Sequence, residues 1–357
     1  MRDRIRRLKG GLYKRGLDTF IAVQNTRYLA GTTAGKAVIV PADGEPLLIC
    51  SRLELEQAKR ESSVRDIRAF SGWKVPLQRE ERVYFLKPWQ LITECLKKFG
   101  ARAVGFDNLG LETLRKIRGA HDASYRELPE LVLDLRKVKS RQELGWLKHS
   151  AEIAVRGMRC AAGLIEAGRT ELEIAAEAER TMRLAGSEGT PFDTIVASGR
   201  NSWLPHATAT RKKLRRGELV VVDLGAKYNG YASDMTRTFA LNPSRKQIKL
   251  MELVRKAQQF AIGKVRDGAE ASAIDRTARR TVSSVGYARF YLHGTGHGVG
   301  LDIHEPPSLA PESKDILRSD MVITVEPGLY LPRVGGARRE DMLKVTPKGH
   351  KLLTHEK

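Results

Sequence analysis

The chain has 357 residues, 41% apolar and 29% charged, a globular composition with room for two domains and a sizeable core. Its three cysteines, Cys50, Cys95 and Cys160, are odd in number and far apart, which argues against a disulfide framework and for a reducing, cytoplasmic setting. The formal net charge is +21, yet it is spread over both halves, and the clusters "RIRRLK" and "RKKLRR" lack the interleaved aromatics that stack on bases, so it reads as a solvated surface and argues against nucleic acid. No apolar run approaches a membrane span. No apolar segment follows the basic "MRDRIRRLKG", so no signal peptide is expected.

In chain order, "RDRIRRLKGGLYKRG" reads as a helix and "TFIAVQ" as a strand. "KAVIVPADGEPLLIC" follows as a hairpin turning at "ADGE". "SRLELEQAKR" and "WQLITECLKKFG" read as helices and "RAVGFD" as a strand, which makes residues 1–135 an α/β domain. A new unit, 136–357, opens with Ser140 and Glu143 as the capping box of a long amphipathic helix that Gly168 is expected to end. Thr170 starts a second helix, and strands are expected at 193–198, 218–223 and 230–240. Helices around 246–265 and 271–285 and strands through 340–346 repeat that order, so the unit reads as an α+β duplication.

The hairpin "VVVDLGAKYNGYASDMTRTF" holds two aspartates, a residue type that strands rarely use. A turn on "KYNG" places Asp223 directly opposite Asp234 on one face, where like charges destabilise. A shared proton or a cation would neutralise them. The second half repeats the arrangement: "DMVITVEPGLY" ends a strand in Glu326, and "GGARREDMLKV" starts one that carries Glu340. Between the pairs, "HGTGHGVGLDIHEPP" sets His293, His297 and His304 among glycines, which allow close approach of backbone and ligands. Four carboxylates with one neutral imidazole match the charge of two divalent cations. Oxygen-rich ligation with one nitrogen suits manganese, cobalt, iron or catalytic zinc, and not a sulfur-rich structural zinc site.

These segments, with "SGRNSWLPHATAT" upstream, resemble the signature segments of the pita-bread metallopeptidases, the family of methionine aminopeptidase, prolidase and Xaa-Pro aminopeptidase. The resemblance covers 136–357, and residues 1–135 resemble the N-terminal domain of the prolidase, aminopeptidase P and creatinase branch. It implies a pita-bread catalytic domain with pseudo-twofold halves. It also implies two metal ions, manganese or cobalt favoured, held by Asp223, Asp234, His297, Glu326 and Glu340. Glu326 would also act as general base and acid. His206, His293 and His304 would face the substrate, and Arg338 would either brace the site or bind substrate. Creatinase lacks the full ligand set found here, and non-catalytic relatives typically lose ligands, so a peptide- or nucleic-acid-binding scaffold ranks below an enzyme. The expected substrates are short peptides with proline second, and a homodimer is expected. Some prolidases carry an arginine shortly after the second His-Glu, which grips a dipeptide's terminal carboxylate. "HEPPSLAPESKDILR" has none before Arg318, so an Xaa-Pro aminopeptidase is favoured over an Xaa-Pro dipeptidase.

Overall fold

A computed structural model describes residues 2–74, 76–77 and 81–355. The chain forms two compact units, Met1–Leu135 and Arg136–Lys357. The first contains α1 (Arg2–Lys14), β1 (Thr19–Ala22), α2 (Thr26–Ala30), β2 (Ala37–Pro41), β3 (Leu47–Ser51), α3 (Leu55–Glu61), β4 (Asp66–Phe70) and β5 (Val83–Tyr84). It continues with α4 (Pro88–Phe99), β6 (Ala103–Phe106), α5 (Leu111–Ala120), β7 (Ser124–Glu127) and α6 (Glu130–Lys137), which runs past the unit's end. Its mixed seven-stranded sheet has the order β5-β4-β3-β2-β1-β6-β7. The hairpin at "ADGE" is the antiparallel pair β2–β3. Sequence reading missed α2, β4, β5, α5, β7 and α6, which are short or lack clean periodicity.

The second unit repeats one plan. Helices α7 (Arg141–Gly163) and α8 (Glu171–Leu184) precede β8 (Ile195–Ser198), β9 (Glu218–Leu224), β10 (Lys227–Tyr228), β11 (Tyr231–Ala232) and β12 (Met235–Leu241). Helices α9 (Arg245–Ile262) and α10 (Ala271–Ser283) then precede β13 (Gly296–Gly298), β14 (Glu305–Leu309), β15 (Val322–Val325), β16 (Gly328–Leu331), β17 (Gly335–Arg338), β18 (Asp341–Thr346) and β19 (Gly349–Leu352). Three of the four helices start on reciprocal capping boxes: Ser140 with Glu143, Thr170 with Glu173, and Ser244 with Gln247. The first of these helices ends at Gly163, five residues before the expected Gly168, which instead takes φ 97° in the following turn. No helix among the described residues is long and apolar enough to cross a membrane.

Period-two alternation aims the carboxylates. In β9, Val220, Val222 and Leu224 pack into the core under α7 and α8, so Asp223 faces the other way. In β15 and β18, Ile323, Val325, Leu343 and Val345 pack under α9 and α10. Each half thus buries one sheet face on its own helix pair and turns the acidic positions to the opposite face.

The first hairpin departs from the expected register. Its turn is "YNGY", with Asn229 at φ 49° and Gly230 at φ 76°. Positive φ at both central residues is what a two-residue type I′ turn requires, and Asn-Gly supplies it at least strain. The pairing therefore shifts by two residues, and Asp223 lies opposite Thr236 instead of Asp234. A shift of two preserves the face, so the aspartates stay on the same side. The expected strand 230–240 is interrupted at Ser233–Asp234, where a side chain on Gly225 would collide with the Ser233 carbonyl. In the second half Glu340 lies between β17 and β18, not within a strand.

Candidate active site

The nine residues nominated from the sequence line one cavity of about 560 Å³. Asp223, Asp234, Glu340 and Arg338 are buried within it, while His206 and His304 are exposed at its mouth. The strand-end carboxylates converge because β15 and β18 pair Val325 with Asp341, and the next step of that register sets Glu326 across from Glu340. The β13 strand, short and glycine-flanked, brings His297 alongside: a side chain on Gly296 would collide with the Thr324 carbonyl.

Ligand atoms of Asp234, His297 and Glu340 lie within 4.8 Å of one another. The His297 Nε2 atom is 3.6 Å from Asp234 Oδ2 and 3.3 Å from Glu326 Oε1. Its Nδ1 lies 3.1 Å from the Gly298 carbonyl, which only accepts, so Nδ1 carries the proton and the Nε2 position faces the carboxylates. Among the described residues, Asp223 Oδ1 and Glu340 Oε1 are buried with no hydrogen-bond partner. Two orphaned carboxylate oxygens beside an inward-facing imidazole nitrogen are what divalent cations would satisfy, so the residues present fit the expected metal site.

The other oxygens are braced. Asp223 Oδ2 accepts from Arg338 Nη2 at 2.5 Å, and Glu340 Oε2 accepts from Thr236 Oγ1 at 2.8 Å. Burial raises the Asp234 carboxyl well above its usual 3.8, helped by Glu340, Asp223 and Glu326. Burial likewise raises Glu340 well above 4.5, with Glu326 and Asp223 adding to it. At Glu326, burial pushes upward too, but the hydrogen bond and charge of His297, then His293 and Arg338, hold it down at about 2. His297 answers in kind: burial works against its protonated form, and Glu326 outweighs it and raises the ring.

Arg338 spends its donors inside the fold, on Asp223, Tyr330 Oη at 2.7 Å, the Pro205 carbonyl at 3.1 Å and Thr236 Oγ1 at 3.2 Å. That geometry is a brace for Asp223. His293 is similarly engaged: Nδ1 donates to the Gly294 carbonyl at 2.7 Å, so Nε2, 2.9 Å from Tyr330 Oη, accepts. Burial lowers its pKa, which keeps the ring neutral. His206 and His304 have no hydrogen bond among the described residues. Sequence reading passed over Tyr330 and Thr236, although both stand in the quoted segments "TVEPGLY" and "SDMTRTF". Their hydroxyls matter through neighbours in space that no spacing reveals. A larger recess of about 840 Å³ in the first unit mixes Arg6, Lys9 and Arg65 with Glu45 and Asp66 and shows no comparable convergence.

The model of metallopeptidase family M24 matches residues 145–347, and that of the creatinase/prolidase N-terminal domain matches residues 4–138. The chain belongs to metallopeptidase family M24. This M24 protein is a metalloexopeptidase that depends on divalent metal ions. It is 36% identical over 361 residues to an Xaa-Pro dipeptidase of Pyrococcus furiosus, covering 99% of this chain and 98% of the relative. It is similar to the structure of an Xaa-Pro dipeptidase from Bacillus anthracis, with TM-score 0.91 and 32% identity over 99% of this chain and 98% of that one. An X-Pro aminopeptidase structure from Thermotoga maritima matches with TM-score 0.84 and 30% identity over 96% of each chain. Taken together, the relatives support the dipeptidase alternative better than the aminopeptidase that sequence reading put first. The missing arginine after His304 is a fact about one segment, and a fold can supply a clamp from any other.

Proposed function

We propose that this M24 peptidase is an Xaa-Pro dipeptidase using two divalent metal ions, with manganese or cobalt the favoured pair. The observation that carries the reading is the convergence of four carboxylates and His297 Nε2 on one cavity, two of the buried oxygens being unsatisfied by protein. Full-length relatives named dipeptidases add the substrate class. Asp223, Asp234, His297, Glu326 and Glu340 would hold the ions, which supply a lowered water pKa and a counter-charge for the developing oxyanion. Glu326 takes a proton from the attacking water and returns it to the prolyl nitrogen as the C–N bond breaks. That nitrogen belongs to a tertiary amide without an N–H, so recognition rests on the shape of the ring and on the two peptide termini.

His206 and His304, which make no hydrogen bond among the described residues, donate to the scissile carbonyl oxygen, while His293 Nε2 accepts from Tyr330 Oη, whose partner Arg338 also holds the Pro205 carbonyl next to His206. A homodimer in the cytoplasm completes the reading; light scattering of the purified protein tests the first of these. Substrate length is the deciding experiment. Comparing kcat/KM for Ala-Pro, Ala-Pro-Ala and Ala-Pro amide should show the free dipeptide preferred at least ~10-fold, since a clamp left facing no carboxylate penalises the others. Equal or faster cleavage of the tripeptide would return the aminopeptidase reading.

A further inference from the structure

His206 is exposed on a segment without strand between Ser198, which ends β8, and Thr210, ordered locally by a short 3₁₀ turn at Asn201–Trp203. Such a segment does not hold a side chain in place by itself. Its two ends meet at one buried side chain, Glu171, the first residue of α8, which is fully buried. Glu171 Oε1 accepts from Ser198 N at 2.7 Å, Ser198 Oγ at 2.7 Å and Asn201 Nδ2 at 3.1 Å. Its Oε2 accepts from Asn201 Nδ2 at 3.1 Å, Thr210 N at 3.1 Å and Thr210 Oγ1 at 2.5 Å. The backbone closes the same neck from the helix side, with Glu171 N donating to the Lys212 carbonyl and Leu172 N to the Thr210 carbonyl.

Among the described residues no cation touches the carboxylate, and Lys212, which reaches its neighbour Ser198, is itself ion-paired with Glu218 at 2.7 Å. Lys212 Nζ donates to Ser198 Oγ at 2.7 Å, and that hydroxyl donates onward to Glu171. The first turn of α8 adds the favourable end of the helix dipole. Beyond the neck, the segment is pinned next to His206 itself, where Arg338 Nη1 donates to the Pro205 carbonyl, and at Ser202 Oγ, which accepts from Gly336 N at 2.9 Å.

We propose that Glu171 is a positioning residue for His206: it staples both ends of the segment so that the imidazole stays over the cavity. The inference rests on His206 acting on the scissile bond, as proposed above. A carboxylate is required because both oxygens must accept. A glutamine in either orientation turns its NH₂ toward the N–H donors of one side and opens that side of the neck.

A double-mutant cycle tests the idea, with kcat and metal content measured for the wild type, Glu171→Gln, His206→Ala and the double variant, all on Ala-Pro. Glu171→Gln should lower kcat about 10- to 100-fold with metal content unchanged, the range typical of residues that orient a site. In the His206→Ala background the same change should lower kcat less than about threefold, because the group it positions is gone. An equal factor in both backgrounds would overturn the inference and leave the role of His206 standing. An unaltered kcat in His206→Ala would overturn that role, and the inference with it. Thr210→Val, at an exposed position, removes one hydroxyl from the neck and should repeat the coupling at smaller size if Glu171→Gln does not fold.

Discussion

The two halves of the catalytic unit bring the same number of acids to the cavity by different means. In residues 136–241, Asp223 is the last but one residue of β9, and Asp234 sits in a break two residues before Thr236, the direct partner of Asp223. In residues 245–352, Glu326 and Glu340 continue a regular ladder. The bracing is crossed between the halves: Arg338 of the second holds Asp223 of the first, while Thr236 of the first holds Glu340 of the second. Arg237 of the first half also pairs with Asp341 of the second at 2.7 Å, both buried. Neither half has a finished site alone. They also differ in kind, since Asp223 has a cation as its partner and Glu340 only a hydroxyl. The acid without a cation depends more heavily on bound metal for its neutralisation.

The largest test removes an acid altogether. Asp234→Ala deletes one of the three groups whose ligand atoms lie together and should abolish metal binding and activity at once. The expected loss exceeds ~10³-fold, beyond the roughly 10- to 100-fold typical of supporting residues. Elemental analysis and turnover check it; retained metal with lost activity would move Asp234 out of the ligand set.

The braces should differ next. Arg338→Met leaves Asp223 buried without its partner, a situation that costs about 3–5 kcal/mol. Thr236→Val takes one hydroxyl from Glu340 and should cost about 1–2 kcal/mol. Urea unfolding of the metal-free protein measures both, and equal losses would erase the distinction between cation and hydroxyl.

A pH series sharpens the same contrast. Asp234 and Glu340 have raised carboxyls, first through burial. Their contribution to stability is fully present below their ordinary values of 3.8 and 4.5 and is lost as pH rises through the raised ones. Glu326 runs the other way: held at about 2, it stabilises above 4.5 and loses that as pH falls. The metal-free Tm should therefore fall as pH climbs from mildly acidic to neutral, and added manganese should raise Tm more at the higher pH. Glu340→Gln should flatten the slope. A metal-free Tm that rose over this range would contradict the placement of the unneutralised acids.

Much of this was legible in the chain. Asp223, Asp234, Glu326 and Glu340 stood out because carboxylates are out of place at strand ends, and period two fixed their face even where the register was read wrongly. The register error came from local chemistry: Asn-Gly takes the centre of a turn, and "KYNG" put it one place late. Arg338 and Thr236 reach their acids across 115 and 104 residues, so those partners appear only when the halves meet. Tyr330 finds Arg338 and His293 within its own half, 8 and 37 residues away, through the pairing of β16 with β17 and the return of the chain. Substrate length was least legible, because the lack of an arginine in "HEPPS" is silent about every other segment.

Tyr330 carries the smallest expected effect. Its hydroxyl accepts from Arg338 Nη1 and donates to His293 Nε2, so it joins the cation that braces the first half to a histidine of the second. It is 3% exposed, and its ring remains to fill the same space in Tyr330→Phe. Losing the hydroxyl leaves one Arg338 N–H and one imidazole nitrogen without a partner, while Arg338 keeps Asp223, Pro205 and Thr236. The stability loss should be about 1 kcal/mol. Because His293 then keeps only its Gly294 bond, its ring loosens, and kcat on Ala-Pro should fall less than ~10-fold with metal content intact. A drop beyond ~10²-fold is the size seen when a donor to the developing oxyanion is removed. That result would place the Tyr330 hydroxyl on the substrate and make His293 its positioning group, giving the second half a direct share in the chemistry beyond its two acids.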